Sequence, residues 1–349
     1  MGENLPYAPI GADRRAVRVV YGLVVLDDGT LESLEADPPQ IIDLGQGRRV
    51  TSADKNGDHA CAVLDDGSVK CWGNNSVGQL GLGDSHERPL SKGLGDALPI
   101  VDLGAGRRAI AVATGGAHSC AILEDGSVKC WGDGSYGQLG NPELPCLPSC
   151  GDGPNQMGDS LPPIDLGTGR TAQTIVAGQY HTCALLDDSS LKCWGENDLG
   201  QLGQGDPDDR GDDPGEMGDN LKPIDLGTGR HVISVGASVF GNCALLDDGS
   251  VKCWGSNSEA QLGLGDFKNR GDEVNQMGDD LPAIDLGTGK RAVYLSADSG
   301  VSFCAILADG SLKCWGNNGW GQLGLGDYYT RGVSISDMGD ALPVVDVGF

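Results

Sequence analysis

Apolar positions along the chain come in short alternating runs broken by turn residues, and no useful length repeats every three to four residues as an amphipathic helix would. The clearest instance is "CAVLDDGSVKCWG" at residues 61 to 73. Cys61 to Leu64 and Ser68 to Trp72 flank Asp65-Asp66-Gly67, the order of a three-residue hairpin loop in which a type I turn precedes a left-handed glycine. If Leu64 closes the loop opposite Ser68, residues 63 and 69, 62 and 70, and 61 and 71 face each other. Cys61 and Cys71 then share a narrow, non-hydrogen-bonded rung with Cα atoms ~4.5 Å apart, within reach of a disulfide.

The hairpin recurs. With the turn residue as marker, copies sit at Gly67, Gly126, Ser189 (a serine in place of glycine), Gly249 and Gly310, spaced 59, 63, 60 and 61 residues apart. A sixth, degenerate copy is "YGLVVLDDGTLESL", where Leu23, Ser33 and Leu34 replace the two cysteines and the tryptophan; its Gly29 lies 38 residues before the next marker. Repetition of this kind signals a module that cannot bury its apolar face alone, whereas an active site needs one constellation of different groups. Two more strands are readable upstream of each hairpin, as in "KPIDLG" (222 to 227) and "HVISVG" (231 to 236), separated by Gly227-Thr228-Gly229. Four strands per unit, repeated radially, predict an all-β fold, a β-propeller with no long free edge; six blades are expected and seven are the alternative.

The expected organisation is a single domain, 1–349, with units at 1–36, 37–94, 95–157, 158–217, 218–277 and 278–337 and a closing strand at 338–349. "MGENLP" at the start reads like "MGDNLK" at 217 to 222 and "MGDALP" at 338 to 343, so Met1 is expected to be an internal repeat residue of a longer protein. Leu342 to Val347 is expected to pair within the blade containing Gly29, where Tyr7 to Ile10 match the repeat poorly.

"CWGNNSVGQLGLGD", "CWGDGSYGQLG", "CWGENDLGQLGQGD" and "CWGNNGWGQLGLGD" resemble the Trp-Gly and Gly-Gln-Leu-Gly signature of regulator-of-chromosome-condensation repeats. The resemblance recurs five times and spans nearly the whole chain. It implies a propeller, usually of seven blades, in a disulfide-stapled member of bacterial type. Family members include a nucleotide exchange factor for a small GTPase, β-lactamase inhibitory proteins and a plant ultraviolet-B photoreceptor, so the fold does not carry the function. This chain departs from the nuclear members in its cysteine pairs and its acidity.

Those departures narrow the function. Fifty Asp and Glu against 24 Lys and Arg give a formal net charge of −26, and arginines occur as isolated pairs such as Arg48-Arg49 and Arg107-Arg108, so neither nucleic acid nor an anionic lipid surface is an expected partner. No apolar run approaches the ~20 residues of a transmembrane helix. Ten of the 12 cysteines form pairs at the same spacing: Cys61 with Cys71, Cys120 with Cys130, Cys183 with Cys193, Cys243 with Cys253, and Cys304 with Cys314. Cys146 and Cys150 form a private pair. A fully paired count favours disulfides and an oxidising compartment, hence a secreted, periplasmic or cell-surface protein; the alternative is buried reduced thiols.

Candidate chemistry is sparse. His59, His118 and His181 each stand two residues before a bridge cysteine, but they lie in three different units and read as structural caps, not as metal ligands. "GDPDDRGDDPGEMGD" (205 to 219) carries Asp206, Asp208, Asp209 and Asp212; a calcium reading falls short at Arg210, where the third ligand should stand, so a solvated acidic loop and no cofactor are expected, with calcium binding as the alternative. Arg210-Gly211-Asp212 and Arg270-Gly271-Asp272 spell an adhesion tripeptide at one repeat position, which inheritance from the unit explains. Trp320 stands where other units have Val77, Tyr136, Leu199 and Glu259, so packing is its expected role, whereas Phe267, Tyr328 and Tyr329 are expected to be exposed anchors.

The segments between each Trp-Gly and the next "IDLG" leave equivalent strand ends and should crowd one face. The function expected is an exported, non-enzymatic scaffold that binds a protein through those loops, as a monomer or as part of a larger chain. The alternatives are a propeller hydrolase or lyase, which would depend on one intolerant carboxylate or histidine, and a small-GTPase exchange factor, which would require a reducing cytosol.

Overall fold

The computed structural model describes residues 14–35, 39–90, 93–297 and 300–347. Met1 and Tyr7 to Ile10 lie outside them. Six antiparallel sheets follow in chain order: β1 (Ala16–Val20), β2 (Leu23–Leu26), β3 (Leu31–Ser33) and β4 (Gln40–Ile41); β5 (Val50–Asn56), β6 (His59–Leu64) and β7 (Val69–Gly73); β8 (Ala109–Thr114), β9 (His118–Leu123), β10 (Val128–Asp133) and β11 (Ser149–Cys150); β12 (Ala172–Ala177), β13 (His181–Leu186) and β14 (Leu191–Gly195); β15 (Val232–Ala237), β16 (Gly241–Leu246) and β17 (Val251–Gly255); and β18 (Ala292–Ala297), β19 (Ser302–Leu307) and β20 (Leu312–Gly316). The fold is an all-β propeller of six sheets.

The hairpins take the register their turns dictate. Leu64 N–H bonds Ser68 O and Gly67 N–H bonds Leu64 O, both at 2.9 Å, and Gly67 adopts φ +80°. Cys61 then faces Cys71, Ala62 faces Lys70 and Val63 faces Val69. In the same way Cys120 faces Cys130, Cys243 faces Cys253 and Cys304 faces Cys314. Every expected bridge is formed: Cys61 to Cys71, Cys120 to Cys130, Cys183 to Cys193, Cys243 to Cys253 and Cys304 to Cys314, all with Cα atoms 4.0–4.1 Å apart. Cys146 is bridged to Cys150. The alternative of buried reduced thiols is thereby set aside, since no cysteine is free. Each ten-residue staple closes a short loop and contributes somewhat under the ~3 kcal/mol expected for a 15-residue one.

The fourth strand is slighter than the sequence suggests. The "IDLG"-type segment contributes a single backbone bond to this edge: Val101 N–H to Val69 O, Ile164 to Val128, Ile224 to Leu191 and Ile284 to Val251. Pro99, Pro163, Pro223 and Pro282 stand just before these donors, and proline offers no N–H to extend a ladder. The bond also fixes phase, because each "IDLG"-type segment closes the sheet before it in the chain. The C-terminus follows this rule and not the expected exchange: Val345 N–H bonds Leu312 O, while the sheet containing Gly29 takes Gln40–Ile41 as its own fourth strand.

By compactness the described residues form two units, one of 183–209 and 222–347, the other of 14–182 and 210–221. The first has a core in which Leu245, Val251, Leu262, Leu295, Phe303 and Trp315 are buried together. In the second, Leu23, Val25, Leu31, Ala53, Ala62 and Trp72 are buried together. Within each unit, neighbouring sheets are joined through one carbonyl. Gln79 O accepts both Ser119 Oγ–H (2.9 Å) and Trp131 Nε1–H (3.0 Å); Gln201 O accepts Asn242 Nδ2–H (2.8 Å) and Trp254 Nε1–H (3.1 Å). A buried lysine also spans loops, as where Lys70 Nζ donates to Leu44 O and Gly95 O, and its pKa is lowered chiefly by burial.

Candidate functional site

Four of the loops that leave a Trp-Gly are each folded by one buried asparagine. Asn257 Nδ2 donates to Asp266 O at 2.7 Å while its Oδ1 accepts Leu262 N–H at 3.0 Å, and Asn75, Asn197 and Asn318 repeat both contacts. An ion pair four residues long finishes the loop: Arg88 to Asp84 (2.8 Å), Arg270 to Asp266 (2.7 Å) and Arg331 to Asp327 (2.7 Å). The Arg331 hydrogen bond holds the Asp327 carboxyl below the usual carboxylate range. At Asp266 burial pushes the other way, but the bonds from Arg270 and Lys268 N–H outweigh it and the pKa is again lowered. Each arginine is also bridged through its backbone to the Trp-Gly glycine: Arg88 to Gly73, Arg270 to Gly255 and Arg331 to Gly316. The sequence signal for this device was the Asn two residues after four of the five Trp-Gly pairs, with Gly134 in the remaining one, which composition and cysteine spacing do not bring out.

Successive loops seat on one another. A Cβ added at Gly78 would lie 2.4 Å from Asp152 N, and one at Gly137 or Gly200 would lie 2.5 or 2.4 Å from Asp212 N or Asp272 N. The two Arg-Gly-Asp tripeptides are therefore packed loop corners. Gly271 has φ +98° and donates to Gln276 Oε1, while Gly211, with φ +89°, donates to Glu216 Oε2.

Of the residues expected to be anchors, Tyr328 (74%), Tyr329 (75%) and Phe267 (56%) are exposed. Trp320 corrects the expectation of packing: it is 90% exposed, because its turn projects beyond the core that Leu323 enters. Gly321 underlies the Tyr328 ring, whose Cε1 is 3.6 Å from an added Cβ. A Cβ at Gly265, two residues before Phe267, would lie 2.5 Å from Ile335 N, and Ile335 is 77% exposed. The acidic candidates lie in a neighbouring loop: Asp206 accepts Asp208 N–H, Asp209 accepts Asn197 N–H, and Asp212 abuts Gly137. The structure thus places Phe267, Tyr328, Tyr329, Trp320 and Ile335 on linked loops of one unit, while Asp206, Asp208, Asp209 and Asp212 belong to the loop that precedes them in the chain.

The histidines are buried hydrogen-bonding groups. His59 Nε2 lies 2.9 Å from Ser119 Oγ and His118 Nε2 2.9 Å from Thr182 Oγ1. Since Ser119 Oγ–H is committed to Gln79 O, the hydroxyl accepts from His59 Nε2–H, and the buried Nδ1 of His59 has no partner among the described residues. Burial pushes His59 down to about 4; burial and the nearby His59 and His181 push His118 down to about 3. Among the described residues no group of three or more His, Cys, Asp or Glu is placed to hold a metal ion, and no helix is long and apolar enough to cross a membrane.

Stapled antiparallel sheets joined by interlocking loops define a disulfide-bonded repeat propeller. Its repeats are matched by a family model: "Regulator of chromosome condensation (RCC1) repeat" fits residues 56–79, 109–138, 173–201 and 232–261, and a second model of that description fits 125–185. These stretches of the chain are RCC1 repeats. It is similar to the ultraviolet-B receptor UVR8 of Arabidopsis thaliana, 28% identical over 78% of this chain and 54% of the receptor. It is equally similar to the human E3 ubiquitin-protein ligase HERC2, 28% identical over 79% of this chain and 5% of the ligase. The chain spans about half or less of these relatives. Among solved structures, yeast Prp20p, described with its binding properties to Gsp1p and histones, superimposes with a TM-score of 0.66 at 19% identity, covering 93% of this chain and 74% of that one.

Proposed function

We propose that the chain is an exported, non-enzymatic propeller that binds a protein through the loops that follow its Trp-Gly motifs. The observation that carries this reading is the exposure of Phe267, Tyr328 and Tyr329 on loops that hydrogen bonds hold rigid. Folding gains nothing from presenting such rings to water, whereas aromatic anchors within a polar rim are the anatomy of a protein interface. Asp206, Asp208 and Asp209, of the same unit as those rings, supply acidic rim. Six disulfides fit an oxidising compartment and disfavour a cytosolic exchange factor. Protein binding by a structural relative, Prp20p, supports the same reading.

The test replaces Phe267, Tyr328 and Tyr329 by Ala together and follows melting and capture of a partner from the envelope or secretion fraction. Capture lost with melting unchanged is the expected result. Capture retained, or a collapsed fold, would show that these rings are not the docking residues.

A further inference from the structure

Trp320, Tyr328 and Tyr329 stand on two turns that are stitched together. Asn318 Nδ2 bonds Asp327 O and Oδ1 at 2.9 and 3.0 Å, Tyr329 N–H bonds Asp327 Oδ1 at 3.0 Å, and Trp320 N–H bonds Gln322 Oε1 at 2.9 Å. The equivalent positions elsewhere hold Val77, Ser85 and His86, or Glu259, Phe267 and Lys268, so three exposed rings together are particular to this loop. A carboxylate adjoins them. Asn317 Nδ2 donates to Glu259 Oε2 at 2.8 Å while its Oδ1 accepts Gly319 N–H at 2.9 Å, which ties Glu259 to the Trp320 turn. Glu259 is exposed and pairs with no cation among the described residues, whereas Asp266 and Asp327 are occupied by Arg270 and Arg331.

Resting on the protein-binding reading above, we infer that this platform docks an arginine-bearing segment of the partner. The guanidinium stacks on the exposed rings and pairs with Glu259, a combination suited to a planar cation that is weakly hydrated. Charge complementarity selects this occupant: the chain carries −26, which attracts a cationic segment and repels an acidic one.

The probe is a nine-residue glycine peptide carrying three arginines, titrated calorimetrically at 0.15 M salt against its citrulline counterpart. The arginine peptide should bind at least about tenfold more tightly. Joint replacement of Trp320, Tyr328 and Tyr329 by Ala should remove that advantage with melting unchanged, and Glu259→Gln should weaken binding several-fold. Equal binding of the two peptides, or wild-type affinity in the triple variant, would overturn the inference, the latter because attraction would then be diffuse. Binding of a neutral oligosaccharide or a proline-rich peptide at these rings in place of the arginine peptide would overturn it too. If native capture depends on the rings but the arginine peptide fails, this inference falls and the protein-binding reading stands.

Discussion

Two loops of the molecule solve one problem with different chemistry. In the loop after β17, Asn257 fills the bend and Asp266 pairs with Arg270, whose backbone bridges to Gly255. In the loop after β10, the bend holds Gly134, and the pair four residues apart is the disulfide Cys146–Cys150, with Cys150 bridged to Gly132 in the arginine's place. The exchange is coupled. A Cβ at Gly134 would lie 2.5 Å from Leu147 Cδ2, so the leucine of the disulfide loop occupies the space an asparagine would need. An i,i+4 ion pair and an i,i+4 disulfide are thus interchangeable clasps, one dissolved by protons and the other by reductant.

Acid provides the largest expected effect and separates the clasps from the core. His59 and His118 are held below the ordinary histidine value, so between about pH 6.5 and their folded values of about 4 and 3 the unfolded chain binds more protons. Their contribution is complete above about pH 6.5 and is lost as pH falls, on the order of a few kcal/mol each. Buried Asp54, raised by burial, acts in the opposite sense. The Asp266 and Asp327 clasps, with lowered pKa values, should survive until lower pH. Denaturant melts from pH 7 to 4 check this: His118→Gln should flatten the dependence, and an unchanged slope would show that the histidines do not drive it.

Forcing one clasp's filler into the other is the next test. Gly134→Asn should destabilise by about 1–3 kcal/mol through overpacking against Leu147. Transplanting the 263–270 loop in place of 140–150 together with Gly134→Asn should recover most of the loss, as read by thermal melting. No recovery would mean that the two loops are not equivalent.

Removing the clasps themselves should have the smaller effects. Cys146→Ser with Cys150→Ser should cost about 2 kcal/mol by loop-closure entropy, whereas Asp266→Asn should cost about 1 kcal/mol or less because the pair is partly exposed. Limited proteolysis should cut 141–148 in the first variant, or in wild type under mild reductant, and leave 263–270 intact. Equal cutting of both loops would erase the distinction.

What the sequence discloses follows the range of the interaction. The hairpin register is set by four or five residues around Asp65-Asp66-Gly67, and pattern alone was enough to pair Cys61 with Cys71 and, by repetition, Cys120 with Cys130, Cys183 with Cys193, Cys243 with Cys253 and Cys304 with Cys314. The outer strand was not readable in the same way, since its proline and its choice of the preceding sheet depend on a partner some 30 residues earlier, as with Val345 and Leu312. Trp320 was misjudged because three of its equivalents are the apolar Val77, Tyr136 and Leu199, although the fourth, Glu259, is charged and exposed as Trp320 is. Cys146 and Cys150 were legible as a pair but not as a clasp, which appears only when they are aligned with Asp266 and Arg270 in space.

The doubly used glutamine carbonyl bears on how such a chain changes over generations. Gln79 O and Gln201 O receive an indole N–H and a short polar side chain from the following sheet, and Ser119 and Asn242 serve equally well. A socket indifferent to the identity of its plug lets unequal crossing-over add or delete a whole sheet without inventing a new junction. Drift in one copy is tolerated locally: where Phe303 has replaced the polar plug, Trp315 Nε1 has no hydrogen-bond partner among the described residues, yet the indole is still fully buried against that phenylalanine.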